Sequence, residues 1–267
     1  MKDIITNTQR VLYEDSKRWG KGYHRINLDR AILTAQAVPG NARNILEVGS
    51  GDGLIFNALR QRGYDPVALD ISGKALKHIQ GGKLVQGTAN QLPFASNSFD
   101  LVLACEVLEH IPNPIYKTVL EEIIRVAKKY ILITVPYREK LEWNHARCPS
   151  CGCIFNGAYH VKSFNENDMK FLFKNFKCIS LDKIVKILHP DRTISFELFI
   201  RHHLAREYLY YGPSVKCPLC LSSVKDKPVR NWIGLIASGM RYLYRIPSKR
   251  KTPLWYLSIY KKVGSEE

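Results

Sequence analysis

Short apolar runs alternate with helix-like stretches between residues 44 and 136. The runs are almost continuously apolar, which is typical of strands that are covered on both faces of a parallel sheet. One intervening stretch, Ile115–Lys129, repeats its apolar residues at helical spacing, with positions 119, 120, 123, 124 and 127 on one face. This alternation predicts an α/β domain. Its five strands are expected at 44–49, 66–70, 83–86, 100–105 and 130–135.

The segments outside this region have a different pattern. Two helices are predicted before the first strand, at 8–16 and 28–38, and a third at 165–175, where Asn165 and Asp168 form a capping pair. Strands are predicted at 177–185 and 254–262. These elements divide the chain into an N-terminal helical cap, a core and an insertion lobe. The cap is 1–43, the core is 44–136 with 163–186 and 253–263, and the lobe is 137–162 with 187–252.

Three glycines at alternate positions separate the first strand from the next helix. Gly49, Gly51 and Gly53 follow the apolar run Ile45–Val48. Glycine tolerates positive φ and lets a ligand approach the backbone closely. The helix that begins after such a turn points free N–H groups at the same place. The turn therefore predicts a nucleotide-type pocket at the carboxyl edge of the sheet.

Two positions narrow the type of nucleotide. A dinucleotide-binding turn needs Gly or Ala at position 54, and the chain has Leu54 there. Asp70 ends the second predicted strand, twenty-one residues after Gly49. An acidic side chain at that distance can accept hydrogen bonds from ribose hydroxyls.

Three further motifs follow along the chain, at 92–94 (LPF), 99–102 (FDLV) and 107–111 (VLEHI). With the glycine turn and Asp70, their order and spacing resemble the class I S-adenosylmethionine-dependent methyltransferase family. The resemblance is close over residues 40–136 and extends to the C-terminus in outline. It implies a doubly wound, mostly parallel, seven-stranded Rossmann-like sheet and S-adenosylmethionine as the cofactor.

The same resemblance implies roles for particular residues. It assigns Asp70 to both ribose hydroxyls, Ile71 to the adenine side, and the backbone of Cys105 to the amino group of the methionine part. Thr88 and Ala89 stand where the family usually has an acid beside the adenine amine, which is a departure from the pattern. The full set of cofactor-binding residues that it implies is Glu47, Gly49, Gly51, Gly53, Asp70, Ile71, Thr88, Ala89 and Cys105.

Two histidines are candidates for acid–base catalysis, because imidazole titrates near neutrality. His110 follows the fourth predicted strand at the active edge of the sheet. His160 leads into the helix predicted after the fifth strand, where similar methyltransferases have a comparable segment. A sulfonium already activates the methyl group, so positioning and desolvation can supply most of the rate without a base.

Two C-P-x-C motifs, at 148–151 and 217–220, predict one structural zinc site. Each motif supplies two thiolates, and four complete a tetrahedron with no open position. The expected ligands are Cys148, Cys151, Cys217 and Cys220, with Cys153, His145 and His160 in reserve. A redox C-x-x-C pair explains one motif but leaves the other without a role. The zinc is therefore expected to clip two insertions into an accessory lobe.

Composition and charge indicate less about function than the motifs do. The 267 residues carry a formal net charge of +16, which attracts polyanions or is simply a solvated surface. The segment 225–252 interleaves apolar and basic residues. It is expected either to form a lid helix on the zinc lobe or to contact a membrane surface or a polyanion. Weak, non-specific polyanion binding is predicted, with release near physiological salt.

The sequence also gives expectations for the cellular location and for the methyl acceptor. The N-terminus lacks the apolar segment of a secretory signal and no apolar run reaches ~20 residues, so a cytoplasmic location is expected. The acceptor is expected to be a small molecule or a glycan or lipid intermediate. The alternative is a zinc-containing nucleic-acid-binding protein, or an RNA methyltransferase, that uses the basic surface.

Overall fold

The computed structural model describes residues 2–14, 19, 24–188, 197, 199–205, 208, 215–224, 231–243 and 251–264. The chain divides into two compact units. The first, called here the sheet unit, comprises Met1–Arg138, Lys162–Val185 and Leu254–Glu267. The second, called the cysteine unit, comprises Glu139–Val161 and Lys186–Pro253. Among the described residues, no helix combines the length and the apolar content that crossing a bilayer would need.

The sheet unit is built on a seven-stranded sheet. In chain order its strands are β1 (Ile45–Val48), β2 (Val67–Asp70), β3 (Lys83–Gln86), β4 (Phe99–Cys105), β5 (Ala127–Pro136), β8 (Phe176–Leu188) and β9 (Lys251–Lys262). Their order across the sheet is β3-β2-β1-β4-β5-β9-β8. The pairs from β3 to β5 are parallel, and β9 is antiparallel to β5. The predicted mostly parallel, seven-stranded Rossmann-like sheet is confirmed.

Helices connect and cover these strands. They are α1 (Lys2–Tyr13), α2 (Arg25–Gln36), α3 (Leu54–Gln61), α4 (Gly73–Leu76), α5 (Asn113–Val126) and α6 (Glu166–Lys170), with a 3₁₀ turn at Leu108–His110. Helix α5 shows why the sequence forms these layers, because its residues Ile115, Val119, Ile123 and Val126 are buried at helical spacing. The strands β1 and β4 are buried along their whole length, as their apolar composition predicts.

The strand order fixes the location of the site. The chain proceeds from β1 outward to β3 and then returns to place β4 on the other side of β1. Loops after β1 and β4 therefore leave the sheet in opposite directions and open a crevice at the carboxyl edge. The glycine turn follows β1, and the motif containing His110 follows β4.

Some predicted element boundaries are wrong. The helix expected to reach Lys129 ends at Val126, because Ala127 pairs with Phe99 and begins β5. Sheet pairing thus overrides helical propensity at residues 127–129. The sequence also predicts a helix at 74–79 with Ser72 as its cap, and the structure has the shorter helix Gly73–Leu76 there. The helix expected at 165–175 is shorter too, although the predicted capping box of Asn165 and Asp168 is present.

The cysteine unit contains local structure that the sequence pattern did not reveal. A two-stranded antiparallel hairpin joins β6 (His145–Arg147) to β7 (Ile154–Asn156), and a 3₁₀ turn at Leu141–Asn144 precedes it. Three-residue strands are too short for periodicity to identify. The composition of residues 195–210 and 229–246 predicts two helices, and a π-helix, Ile200–Leu204, and the helix α7 (Trp232–Leu243) lie within these stretches. Parts of those stretches, including Arg230 and Arg245, lie outside the described residues.

Candidate cofactor site and cysteine cluster

The glycine turn after β1 adopts a backbone conformation that other residues resist. Gly49 has φ +75° and Gly51 has φ +55°. A Cβ atom at position 49 would lie 2.4 Å from Cγ2 of Val107, so close packing also requires glycine there. The N–H of Gly49 donates to the carbonyl of Leu69 at 2.7 Å, which fixes the turn against the end of β2.

Asp70 holds the glycine turn from the neighbouring strand. Its Oδ2 accepts the N–H of Gly51 and its Oδ1 accepts the N–H of Ser72, both at 2.8 Å. Burial raises the pKa of Asp70, and these two hydrogen bonds oppose the rise. Each carboxylate oxygen has a second lone pair, so the group can still accept two ligand hydroxyls.

The turn and Asp70 border a cavity of about 420 Å³ in the sheet unit. That volume lies within the range of small-molecule sites. Most of the predicted cofactor residues line it: Glu47, Gly49, Gly51, Asp70, Ile71, Thr88, Ala89 and Cys105. Gly53 is not among the lining residues and instead lies at the N-terminus of α3 with φ +90°.

Buried polar atoms at this cavity have no partner among the described residues. They are Oε2 of Glu47, Oγ of Ser50 and Nε of Arg30. Burial, with the nearby charge of Asp70, raises the pKa of Glu47 to about 8, although Arg30 opposes the rise. Buried polar groups in proteins are nearly always hydrogen-bonded, so three such atoms in residues that line one cavity are unusual. Each atom has almost no accessible surface and therefore lies behind the cavity wall.

The N-terminal helices contribute one wall of the cavity. Gln9, Tyr13, Trp19 and Arg30 are among its lining residues. The indole N–H of Trp19 donates to the carbonyl of Tyr13 at 2.8 Å, and a Cβ at Gly51 would lie 3.2 Å from the Trp19 ring. In the sequence, Tyr13 and Trp19 are aromatic residues among basic ones, in a segment that is expected either to fold over the cofactor or substrate or to pack against the sheet. No sequence signal marks Gln9 and Arg30, because only the packing of α1 and α2 brings them to the site.

Two residues at the end of β4 have different characters. Cys105 is buried, and burial raises the pKa of its thiol to about 12, which favours a packing role over a reactive one. Glu106 has φ +57° and lines the cavity. Its Oε2 accepts the indole N–H of Trp255 in β9 at 2.7 Å, and its Oε1 accepts the hydroxyl of Thr134 at 3.4 Å. Sparsely populated backbone conformations of this kind concentrate at functional sites.

The two candidate histidines lie in different units. His110 lines the cavity, and its ring meets Tyr13 edge-on with the centroids 5.8 Å apart. His160 belongs to the cysteine unit and is not a lining residue. Its Nδ1 pairs with Oε2 of Glu139, whose Oε1 accepts the amide of Asn144 at 2.7 Å. This pairing lowers the pKa of Glu139 against the effect of burial, so the carboxylate holds a proton on Nδ1.

The four cysteines of the two C-P-x-C motifs come together in the cysteine unit. Their four sulfur atoms all lie within 4.8 Å of one another. The Cys148–Cys220 and Cys151–Cys217 sulfur pairs are each 3.6 Å apart. A tetrahedral zinc with Zn–S bonds of ~2.3 Å separates its sulfurs by about 3.8 Å, whereas a disulfide would need ~2.05 Å. The arrangement fits a metal ion and not a pair of disulfides.

The two motifs have the same backbone hydrogen bonds. The Cys148 N–H donates to Cys153 O and the Gly152 N–H to Cys148 O, at 2.8 and 3.0 Å. In the second motif, the Cys217 N–H donates to Ser222 O and the Leu221 N–H to Cys217 O, both at 2.9 Å. The residue that follows each motif has positive φ, +75° at Gly152 and +60° at Leu221. Two equivalent turns thus present their cysteines to one point.

The reserve ligands are not in the cluster. The Cys153 sulfur lies 3.8 Å from the carbonyl of Ile154, and His160 is held by Glu139. His145 begins β6 and is not part of the group of four. A further contact links the two motif-bearing segments, because the Tyr159 hydroxyl donates to Lys216 O and accepts the Lys216 N–H.

The region around the cavity matches a known protein family model. Residues 46–132 match a family model described as "Methyltransferase domain". This range begins in β1 and ends in β5. It includes the glycine turn, Asp70 and the 3₁₀ turn that ends at His110.

Curated relatives match over a similar part of the chain. A protein named "Uncharacterized methyltransferase ML2584" from Mycobacterium leprae is 31% identical over 112 residues, 39% of this chain and 40% of that protein. A "Ubiquinone biosynthesis O-methyltransferase" from Dechloromonas aromatica is 34% identical over 106 residues, 35% of this chain and 44% of that one. The chain therefore spans less than half the length of these curated relatives.

Solved structures resemble the chain over most of its length. A SAM-dependent methyltransferase from Archaeoglobus fulgidus has a TM-score of 0.54 and 18% identity, with 91% of this chain and 96% of that chain covered. The YcgJ protein of Bacillus subtilis has a TM-score of 0.51 and 16% identity, with 91% of this chain and 100% of that chain covered. At these identities the likeness concerns the fold.

Proposed function

We propose that this protein is an S-adenosylmethionine-dependent methyltransferase. The observation that carries the proposal is Asp70, which is buried beside the cavity and holds the Gly51 N–H with one carboxylate oxygen and the Ser72 N–H with the other. A carboxylate so placed, beside a glycine turn, is suited to the two hydroxyls of a ribose. The match of residues 46–132 to a methyltransferase domain supports the same conclusion.

The residues present fit this cofactor. Gly49 and Gly51 leave room for its methionine and ribose part, and Asp70 would accept the ribose hydroxyls. Ile71, Thr88 and Ala89, which line the cavity, would contact the adenine, and Glu47 and the backbone of Cys105 would face the methionine part. Gly53 supports the turn at the start of α3. The bound cofactor supplies a methyl group that its cationic sulfonium activates.

The remaining wall of the cavity is suited to the acceptor. It contains Tyr13, Gln9, Arg30, Glu106 and His110. We propose that these side chains orient the acceptor and exclude water, which supplies most of the rate. His110 is the candidate base, because its imidazole lines the cavity and Tyr13 holds its ring.

His160 is the second candidate base. Glu139 holds the proton of this imidazole on Nδ1. A base that acts through Nε2 requires this tautomer. Substitution separates the two histidines. If His110 is the base, His110→Gln lowers kcat and removes one ionisation from the pH profile, while His160→Gln leaves that profile unchanged. The opposite result transfers the role to His160.

We infer that the four-cysteine cluster binds one structural zinc ion. Sulfur separations of 3.6 Å and the two matching turns support tetrahedral thiolate coordination. Four thiolates leave no position for substrate, so the metal would stabilise the lobe and take no part in the reaction. The predicted insertion lobe, 137–162 with 187–252, would then be an accessory unit that the metal holds together.

We propose as the acceptor a small molecule, or the exposed end of a glycan or lipid intermediate. The cavity of about 420 Å³ is of the size that small-molecule sites have. The relative named for ubiquinone biosynthesis is an O-methyltransferase, which suggests a hydroxyl as the first acceptor group to test.

Two measurements test this function in sequence. Calorimetry with S-adenosylhomocysteine should give one site per chain, and the Asp70→Ala variant should bind far more weakly. Labelled S-adenosylmethionine should then transfer its methyl group to a component of fractionated cell extract. Absence of cofactor binding by the wild-type protein at millimolar concentration would refute the proposal. Label found in RNA would select the nucleic-acid alternative for the acceptor.

A further inference from the structure

The helix α7 presents its large apolar side chains to solvent. Trp232, Leu235, Ile236 and Met240 are 70%, 54%, 52% and 40% exposed. They follow the spacing i, i+3, i+4 and i+8, so they share one side of the helix, called here the outer face. Contiguous exposed apolar side chains of this size mark a surface that something covers in function.

The opposite side of α7 is built from small residues. Gly234 and Ala237 are buried, and the Ser238 hydroxyl donates to Oε1 of Glu197 at 3.1 Å. Asn231 caps the helix by accepting the Gly234 N–H at 3.0 Å, and its amide donates to Ala205 O at 2.6 Å. The helix is thus fixed to residues 197–205 within the cysteine unit. In this helix the small side chains are buried and the large apolar ones are exposed, which is the reverse of the usual arrangement.

The charge of the sequence that contains this helix indicates the kind of surface that can cover it. Residues 225–251 contain eight Lys or Arg and one acidic residue, Asp226, and no acidic residue lies in α7 itself. Lys251, the first residue of β9, is exposed. A basic segment with an exposed apolar helix face that starts with tryptophan is typical of helices that lie in the headgroup region of anionic membranes.

We propose that the outer face of α7 docks on the surface of an anionic phospholipid bilayer. Twelve residues of helix extend about 18 Å, which suits a helix lying in the interface and is well short of the ~30 Å hydrocarbon core. The four apolar side chains enter the headgroup boundary, and the basic residues meet the lipid phosphates. Docking would bring the protein to a surface that carries lipid acceptors, a consequence that rests on the proposed function. Docking itself does not depend on cofactor binding.

Sedimentation of the purified full-length chain with vesicles tests this proposal. Vesicles of phosphatidylcholine that contain phosphatidylglycerol should bind the protein, and vesicles of phosphatidylcholine alone should bind it much more weakly. The double variant Leu235→Ser with Ile236→Ser should lose roughly tenfold or more in binding to the anionic vesicles, because partition follows buried apolar area. Both residues are exposed, so the variant should fold normally.

A matched control and two contrary outcomes complete the test. Phe171→Ser removes an apolar side chain that is 78% exposed in the sheet unit, and it should leave vesicle binding unchanged. Failure of the wild-type protein to bind anionic vesicles at physiological salt would overturn the proposal. So would a double variant that binds as well as wild type. If sedimentation equilibrium instead shows a wild-type dimer that the double variant dissociates, the outer face belongs to a second copy of the chain.

Discussion

The carboxylate of Asp70 accepts the backbone N–H of Gly51 at 2.8 Å, which joins the end of β2 to the turn after β1. The contact spans 19 positions and connects the two features that the sequence marks most clearly. Asp70 thus has two tasks under the proposed function. It shapes the glycine turn through backbone hydrogen bonds, and it would present its remaining lone pairs to a ribose.

Substitution of Asp70 should strongly weaken cofactor binding. Asp70→Ala removes two charge-assisted hydrogen bonds to ribose, each worth about 1.5–3 kcal/mol, and we expect an increase in Kd of roughly a hundredfold or more. Calorimetry with S-adenosylhomocysteine measures it. Asp65→Ala is the matched control, because it removes a carboxylate whose partner is the exposed Lys83. Equal losses in both variants would exclude a specific role for Asp70.

Gly51 should matter for the ligand beyond its backbone conformation. Gly51→Ala places a Cβ 3.2 Å from the Trp19 ring at the cavity wall. Gly63→Ala is the control, because Gly63 has φ +83° and open space where its Cβ would be. Both variants should lose about 1 kcal/mol of unfolding free energy from backbone strain. Cofactor affinity should fall at least tenfold in Gly51→Ala alone. A similar loss of affinity in Gly63→Ala would show that strain explains the effect.

Glu47 should make stability fall as pH rises. Its pKa is raised from 4.5 to about 8 in the folded protein, so the folded state binds a proton that the unfolded state has released between these values. The free energy of unfolding should therefore decrease from about pH 4.5 to pH 8, by on the order of 4 kcal/mol. Glu47→Gln should remove this decrease.

Urea denaturation at intervals from pH 5 to pH 9 measures this dependence. The Glu47→Gln and wild-type curves should diverge progressively, with the variant gaining relative stability toward high pH. Glu121→Gln is the control, because Glu121 is exposed on α5 and pairs with Lys117. A constant difference between wild type and Glu47→Gln across the range would contradict the raised pKa.

The cysteine cluster should hold one zinc ion per chain. Elemental analysis and native mass spectrometry should find the metal in wild type and in Cys153→Ser, whose sulfur is outside the cluster, but not in Cys148→Ser. Metal removal by a chelator should raise hydrogen exchange in 139–161 and 215–224 before the sheet melts, because thiolate ligation couples the metal to local folding. Wild-type protein without metal, with all seven thiols freely titratable, would refute the site.

The sheet, and the residues of the proposed site that lie near one another in the chain, could be predicted from the sequence alone. Buried strands such as Phe99–Cys105 are almost continuously apolar, and the sequence predicted every strand of the seven-stranded sheet, the termini differing by a few residues. Gly49, Gly51 and Asp70 are recognisable because a tight turn and the proposed ribose site require those residue types at that spacing. The two C-P-x-C motifs likewise indicate metal ligation through residues that are close together in the chain. These features could be predicted because each depends on residues that are near one another in the chain.

Only the tertiary structure decided which distant side chains share these sites. Arg30 from α2 and Trp255 from β9 lie at the carboxyl edge because the chain folds back over the sheet, and no local pattern encodes that approach. The π-helix and the short hairpin of the cysteine unit are too brief for periodicity to reveal. The outer face of α7 shows the same limit. Its apolar spacing predicts an amphipathic helix, but burial of Gly234 and Ala237 decides that the large residues, and not the small ones, face solvent.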